Sequence, residues 1–234
     1  PRQPGSSFKP IVYAAAFEKG YTPSTLLYDA LTPFKNIPQD YTPQNYNGKT
    51  YGPVTIRQAL AGSLNIPAVK TLYQTGVDRV LEFAARLGYT TLTDLSRFSL
   101  SLVLGGGEVK LLEHTAAYAA FAQEGVARPL VGILKVEDSD GTVLKEFEDQ
   151  SKKAIDPQVV RLLTDVLSDS TARTFIFGAN NLLTLPDRPV AAKSGTTNDN
   201  RDAWLMGYTP TLATGVWVGN NNNTPMKQGA DGSV

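Results

Sequence analysis

Phe8, Ile11, Val12, Ala15 and Ala16 recur at the spacing of one helix face, and Gly20 follows them. The pattern predicts a helix over residues 6–19, with Pro10 in its first turn, where a missing N–H costs little. The same period predicts helices over 54–62 (Val54, Ile56, Ala59, Leu60), 67–74, 77–87 before Gly88, and 109–123 after Gly105-Gly106-Gly107. Another, over 157–168, has Pro157 at its start. Residues 130–136 and 142–147 read as strands flanking Asp138-Ser139-Asp140-Gly141, a hairpin in which Asp-Gly supplies positive φ. Three further strand patterns cover 189–193, 203–208 and 212–219; the last two, split by Thr209-Pro210-Thr211, are expected to pair antiparallel. Residues 21–53, rich in Pro, Tyr, Asn and Thr, are expected to be irregular, and irregular segments of that length usually carry function or move. The polar run 220–223 reads as a turn that tolerates left-handed backbone.

Composition narrows the chemistry. The chain has 234 residues and is 41% hydrophobic, enough for a substantial core. Lys+Arg and Asp+Glu number 22 each, so the net charge is zero, which argues against a nucleic-acid-binding surface. With no Cys, disulfide frameworks, thiol catalysis and Cys-ligated zinc are excluded. With one His, a His-rich metal site is excluded and a Ser-His-Asp triad disfavoured, so a catalytic base is expected to be another residue. No cofactor or metal is expected. No run of 18 apolar residues predicts a membrane span. Pro1 and the closing Gly229-Ala230-Asp231-Gly232-Ser233-Val234 are read as positions inside a longer protein.

Three short motifs occur once each. Ser6-Ser7-Phe8-Lys9 sets a hydroxyl and an amine three residues apart at a helix start, on one face. A neutral Lys9 is suited to take the Ser6 proton, and burial or a neighbouring cation would lower its pKa. The helix N-terminus carries about half a positive charge, which favours a developing alkoxide on Ser6. Ser63-Leu64-Asn65 places a hydroxyl and a carboxamide between two helices, with Pro67 marking the break. Lys193-Ser194-Gly195-Thr196 ends a strand, where Lys193 and Gly195 face away from Ser194 and Thr196, and Gly195 would let a ligand backbone come close. Ser-x-x-Lys arises by chance about once in a chain of this length, and Lys-[Ser/Thr]-Gly roughly a tenth as often. Their conjunction, in this order and on these elements, is what carries weight.

These residues resemble the transpeptidase domain of class A, bifunctional penicillin-binding proteins. Pro4-Gly5-Ser6-Ser7-Phe8-Lys9-Pro10 is similar to that family's active-serine segment. Further matches are Asn45-Tyr46-Asn47-Gly48, Gly52-Pro53-Val54-Thr55-Ile56-Arg57, Ser63-Leu64-Asn65-Ile66-Pro67-Ala68, and Lys193-Ser194-Gly195-Thr196-Thr197-Asn198-Asp199 with Arg201-Asp202-Ala203-Trp204. The resemblance implies an α/β (α+β) fold: an antiparallel β-sheet flanked by helices, with an all-helical subdomain, of the β-lactamase/transpeptidase type. The family sheet has five strands, some preceding the active serine, so residues 1–234 are expected to be one transpeptidase domain truncated at both ends.

By the same resemblance Ser6 is the acylated nucleophile, Lys9 its proton acceptor, Ser63 a proton relay, Asn65 a hydrogen-bond partner of the donor peptide, and Lys193 a source of positive charge. Ser194, Gly195, Thr196 and Thr197 form the substrate-binding strand, and the N–H groups of Ser6 and Thr196 the oxyanion hole. The implied reaction acylates Ser6 with a D-Ala-D-Ala stem peptide, releases D-alanine, and passes the acyl group to an amine of a neighbouring stem peptide. β-Lactams would mimic the donor. The parent would be anchored on the outer face of the bacterial cytoplasmic membrane and carry a glycosyltransferase domain. No Glu-x-x-Leu-Asn loop is present, which argues against a class A β-lactamase. A β-lactam-binding sensor, or an inactive structural fragment, is the alternative. His114 reads as a helix-packing residue, Gly105-Gly106-Gly107 as a loop, Trp204 and Trp217 as packing residues, and the tyrosines of 21–51 as candidates to line a peptide groove.

Overall fold

The computed structural model describes residues 1–35 and 40–227. Gly229–Val234, read above as interior sequence, and part of the 21–53 segment therefore lie outside the described residues.

Pro4-Gly5 opens a 3-10 turn over Gly5–Phe8, and the chain continues into α1 (Lys9–Glu18) with Pro10 in its first turn. This helix is apolar all round, as a buried central helix must be. Phe8, Ile11, Val12, Tyr13, Ala14, Ala15 and Ala16 are all fully buried. Each large apolar side chain buried here contributes about 1.5–3 kcal/mol. The chain next forms β1 (Leu26–Asp29) and β2 (Gly52–Thr55), an antiparallel pair in which Leu27 faces Val54. This pair corrects the expectation of an irregular 21–53 segment. Only Leu27 and Val54 among its apolar residues point inward, so the alternation is too short to register.

The helix expected from residue 54 starts at Ile56. Thr55 is extended and forms a reciprocal capping box with Gln58, ending β2 and beginning α2 (Ile56–Ala61). Then come α3 (Asn65–Thr75), α4 (Val77–Arg86) and α5 (Leu111–Ala122), close to expectation. A small pair, β3 (Val126–Ala127) with β6 (Lys152–Lys153), brackets the hairpin of β4 (Lys135–Glu137) and β5 (Val143–Glu146). The hairpin turn is the expected one: Gly141 has φ +81°, and Asp138 Oδ1 accepts from the N–H groups of Asp140 and Thr142.

α6 (Pro157–Ser168) is capped by Asp156, and α7 (Ser170–Phe177), which the periodicity did not reveal, by Asp169. Its one buried residue is Arg173, so no apolar stripe announces it. The chain ends in a three-stranded antiparallel sheet of β7 (Ala191–Thr196), β8 (Asp202–Tyr208) and β9 (Ala213–Gly219), in that spatial order. α5 packs on β8 and β9, and α6 on β7. The core runs continuously from α1 to Trp204, Met206 and Tyr208 of β8. The architecture is the expected mixture of helices and antiparallel sheet. No helix among the described residues is long and apolar enough to cross a membrane.

Candidate active site

The three motifs come together on one cleft of about 1110 Å³. The 3-10 turn presents Ser6. The α2–α3 connection presents Ser63, and Asn65 opens α3. β7 adds Ser194 and Thr196, with Thr197 just beyond it. Tyr41 and Tyr46 of the 21–51 segment also line the cleft.

Glycine makes this convergence possible. A Cβ on Gly195 would lie 2.3 Å from the Pro4 carbonyl oxygen and 2.9 Å from the Ser7 nitrogen. A Cβ on Gly5, at φ +56°, would lie 2.5 Å from the Thr196 carbonyl oxygen, and one on Gly105 would lie 2.2 Å from the Gly5 nitrogen. Three backbones thus interlock around the serine turn. At Gly195 the chain's own turn makes a close approach of this kind. Gly105 likewise does more than end a loop.

Two amines sit on either side of Ser63. Lys9 Nζ donates to the Ser63 carbonyl oxygen at 2.6 Å and to Asn65 Oδ1 at 2.7 Å, and lies 3.3 Å from Ser63 Oγ. Lys193 Nζ donates to Ser63 Oγ at 2.8 Å and to the Ser194 carbonyl oxygen at 2.9 Å. Ser63 has φ +56°, a left-handed backbone that costs a non-glycine residue about 1–2 kcal/mol. In that conformation both its carbonyl and its hydroxyl meet Lys9. Among the described residues no hydrogen bond joins the Ser6 hydroxyl to Lys9. Residues i and i+3 are eclipsed in a 3-10 turn, so the two share a face, and apo catalytic contacts commonly tighten only when substrate binds.

Burial sets the charge state of both amines. Lys9 is fully buried, and its pKa is held well below the usual lysine value by desolvation, then by the charge of Lys193. Lys193 is lowered to about 7 by desolvation, then by Arg173. Neither amine has a carboxylate partner among the described residues. A neutral amine has two N–H groups and one lone pair. For Lys9 the two acceptor-only oxygens, of Ser63 and Asn65, take both N–H groups and leave the lone pair available.

The remaining expected residues divide by use. Asn65 Nδ2 donates to the Gln44 carbonyl at 2.9 Å, so both ends of its carboxamide are held within the chain. The Thr197 hydroxyl donates to Asp202 Oδ2 and accepts from the Asp202 N–H, both at 2.9 Å. It closes the loop between β7 and β8, and Trp217 Nε1 anchors the other oxygen of Asp202. His114 lies behind the serine turn as a packing residue. Ser7 Oγ donates to the Pro4 carbonyl at 2.6 Å, so His114 Nε2 donates to Ser7 Oγ at 2.9 Å and Nδ1 accepts from the Tyr89 hydroxyl. Burial lowers the imidazole pKa to about 3 and keeps it neutral. Gln44, Gly5 and Gly105 were not singled out for these contacts, because backbone approach leaves no mark on hydrophobic pattern.

A family profile for the penicillin binding protein transpeptidase domain matches residues 1–234. Penicillin-binding protein 1A of Aquifex aeolicus is 37% identical over 220 residues, covering 93% of this chain and 29% of that protein. Its counterpart from Neisseria lactamica is 36% identical over 230 residues, with 93% and 28% covered. Among solved structures, penicillin-binding protein 1A from Haemophilus influenzae aligns with a TM-score of 0.82 at 27% identity, over 98% of this chain and 40% of that one. The PonA1 protein from Mycobacterium tuberculosis, in complex with penicillin V, aligns with a TM-score of 0.84 at 26% identity, over 99% and 64%. The chain belongs to the penicillin-binding protein transpeptidase domain family. It spans under a third of the length of the curated relatives it matches.

Proposed function

We propose that this domain is a serine D,D-transpeptidase of peptidoglycan synthesis in which Ser6 is the nucleophile. The observation that carries the reading is the pair of buried, carboxylate-free lysines flanking Ser63 in the cleft that holds Ser6. Neutral Lys9 takes the Ser6 proton as Oγ attacks the carbonyl carbon of the penultimate D-Ala. The oxyanion forms near the N–H groups of Ser6 and Thr196; the contact of Gly5 with the Thr196 backbone supports their convergence. The proton then passes from Lys9 through the Ser63 hydroxyl to the departing D-alanine nitrogen as the C–N bond breaks. An acceptor amine reverses the sequence: it attacks the ester, gives its proton to Lys9 by the same path, and Ser6 leaves protonated. The Ser194 and Thr196 hydroxyls hold the terminal carboxylate of the donor, while Lys193 supplies positive charge from behind, through its contact with Ser63 Oγ.

A β-lactam ring presents the same amide and carboxylate, and its acyl group stays on Ser6. The solved PonA1 structure with penicillin V and the curated relatives support this reading. The curated relatives, of which this chain covers under a third, support a larger parent; the family resemblance supports for that parent a membrane anchor on the outer face of the bacterial cytoplasmic membrane and a glycosyltransferase domain. In the complete protein, nascent peptidoglycan with pentapeptide stems should yield cross-linked muropeptide dimers and free D-alanine. Penicillin labelling without any dimer formation would instead identify a β-lactam sensor.

A further inference from the structure

Asn45 touches none of the reacting atoms, yet its side chain holds one wall of the cleft. It is 6% exposed, and its polar atoms are fully engaged. Nδ2 donates to both oxygens of Asp29, at 2.9 and 2.8 Å, and to the Lys49 carbonyl at 2.9 Å. Oδ1 accepts from the N–H groups of Asn65 at 2.7 Å and Ile66 at 3.3 Å. The residue preceding α3, Leu64, offers no side-chain cap. Asn45 therefore supplies, from twenty residues earlier in the chain, the acceptor that a helix N-terminus lacks. Gln44 adds a second tie by accepting from Asn65 Nδ2.

The far end of this tether is fixed. Asp29 is fully buried on β1 and also accepts from the Tyr51 N–H at 2.8 Å. Among the described residues, Tyr13 from α1 and Lys70 from α3 also feel the charge of that carboxylate. At the near end, Asn65 Oδ1 is one of the two acceptors that orient the Lys9 amine. The chain of contacts is continuous from a buried carboxylate to the proposed base.

We infer that Asn45 is a positioning residue: it clamps the N-terminus of α3 to Asp29, so that Asn65 and Ser63 hold the Lys9 amine by its N–H groups and keep it placed to take the Ser6 proton. The inference rests on the assignment of Lys9 as base. A clamp of this kind acts on the chemical step and not on the entry of ligand.

The test is single-turnover acylation of the complete protein by a fluorescent penicillin, normalised to the folded fraction and resolved into the binding constant and the acylation rate. Asn45→Ala should lower the acylation rate on the order of 10- to 100-fold with binding altered less than threefold, because sub-ångström errors at reacting groups act on rate. Asn45→Asp keeps the acceptor for α3 but sets a second carboxylate against Asp29. Two carboxylates at one site retain a proton, so its rate relative to wild type should recover several-fold between pH 7.5 and 5.5, as the introduced carboxyl again donates to Asp29. Asn47→Ala, which removes exposed contacts to the Tyr51 hydroxyl and the Lys49 N–H but leaves both ends of the tether in place, should match wild type. A purely structural role predicts a smaller folded fraction, an unchanged acylation rate and no pH recovery, and that result overturns the clamp. If Asn45→Ala does not fold, the presence or absence of pH recovery in Asn45→Asp decides. Wild-type protein that takes no label at Ser6 overturns the underlying assignment and the clamp with it. Labelled wild type with an equally fast Asn45→Ala overturns the clamp alone.

Discussion

Gly195→Ala tests whether backbone interlock holds Ser6 in place. The new Cβ would sit 2.3 Å from the Pro4 oxygen, 2.9 Å from the Ser7 nitrogen and 3.0 Å from Ser7 Cβ. The two closest are backbone atoms of the turn that carries Ser6, so no rotamer change relieves the contact. Ordinary carbon–oxygen contacts are about 3.3–3.6 Å, so turn and strand must separate by about 1 Å. Overpacking of this kind costs about 1–3 kcal/mol. For a domain of this size that lowers Tm by about 2–12 °C. A displacement of about 1 Å at the nucleophile costs about 100-fold in rate. Calorimetry and penicillin acylation of the folded variant measure the two effects separately. Gly132→Ala, where nothing lies within 4 Å of the added carbon, is the control. A Gly195→Ala protein that acylates within twofold of wild type refutes the interlock.

Three further outcomes follow from the electrostatics. Because folded His114 binds its proton only near pH 3 and an unfolded histidine near 6.5, the unfolded state holds more protons between these values. Stability therefore falls as pH drops through this window, by about 1.4 kcal/mol per unit. Urea melts from pH 6.5 to 4.5 should show that decline, with a shallower slope for His114→Phe; equal slopes would be inconsistent with a buried neutral imidazole. Lys9→Arg replaces the neutral amine with a permanent cation and removes the base, so acylation should drop by about 100- to 10,000-fold; retained rate would remove Lys9 from the proton path. Lys193, with its pKa near 7, should give the acylation profile an alkaline limb near neutrality, which Lys193→Arg moves upward by more than one unit; an unmoved limb would belong to another group.

The site was legible in the sequence further than the fold that carries it. Ser6, Lys9, Ser63, Asn65 and Lys193 fall on short motifs that are individually weak and informative only together, in this order; the serine turn is 3-10 where a helix was expected, and the last motif lies inside β7, which runs past the expected residue 193 to Thr196. Long amphipathic segments such as α4 and α6 were equally plain, as was the Asp-Gly hairpin. β1 and β2 were not, because four-residue strands with one or two inward residues carry no periodicity. α7 was missed because its buried residue is an arginine. The interlock at Gly5, Gly105 and Gly195 is a tertiary contact between backbones, and the tether from Asn45 to α3 joins residues twenty apart with no repeating pattern. Such features depend on where segments meet, which only the folded chain reveals.

The most direct test of the central claim is the site of covalent attachment. The complete protein is incubated with penicillin, digested, and mapped by tandem mass spectrometry, alongside Ser6→Ala. The expected result is one penicilloyl adduct on Ser6 that the substitution abolishes while the protein remains folded. An adduct on Ser63 or another residue, or one that survives in Ser6→Ala, would contradict the assignment.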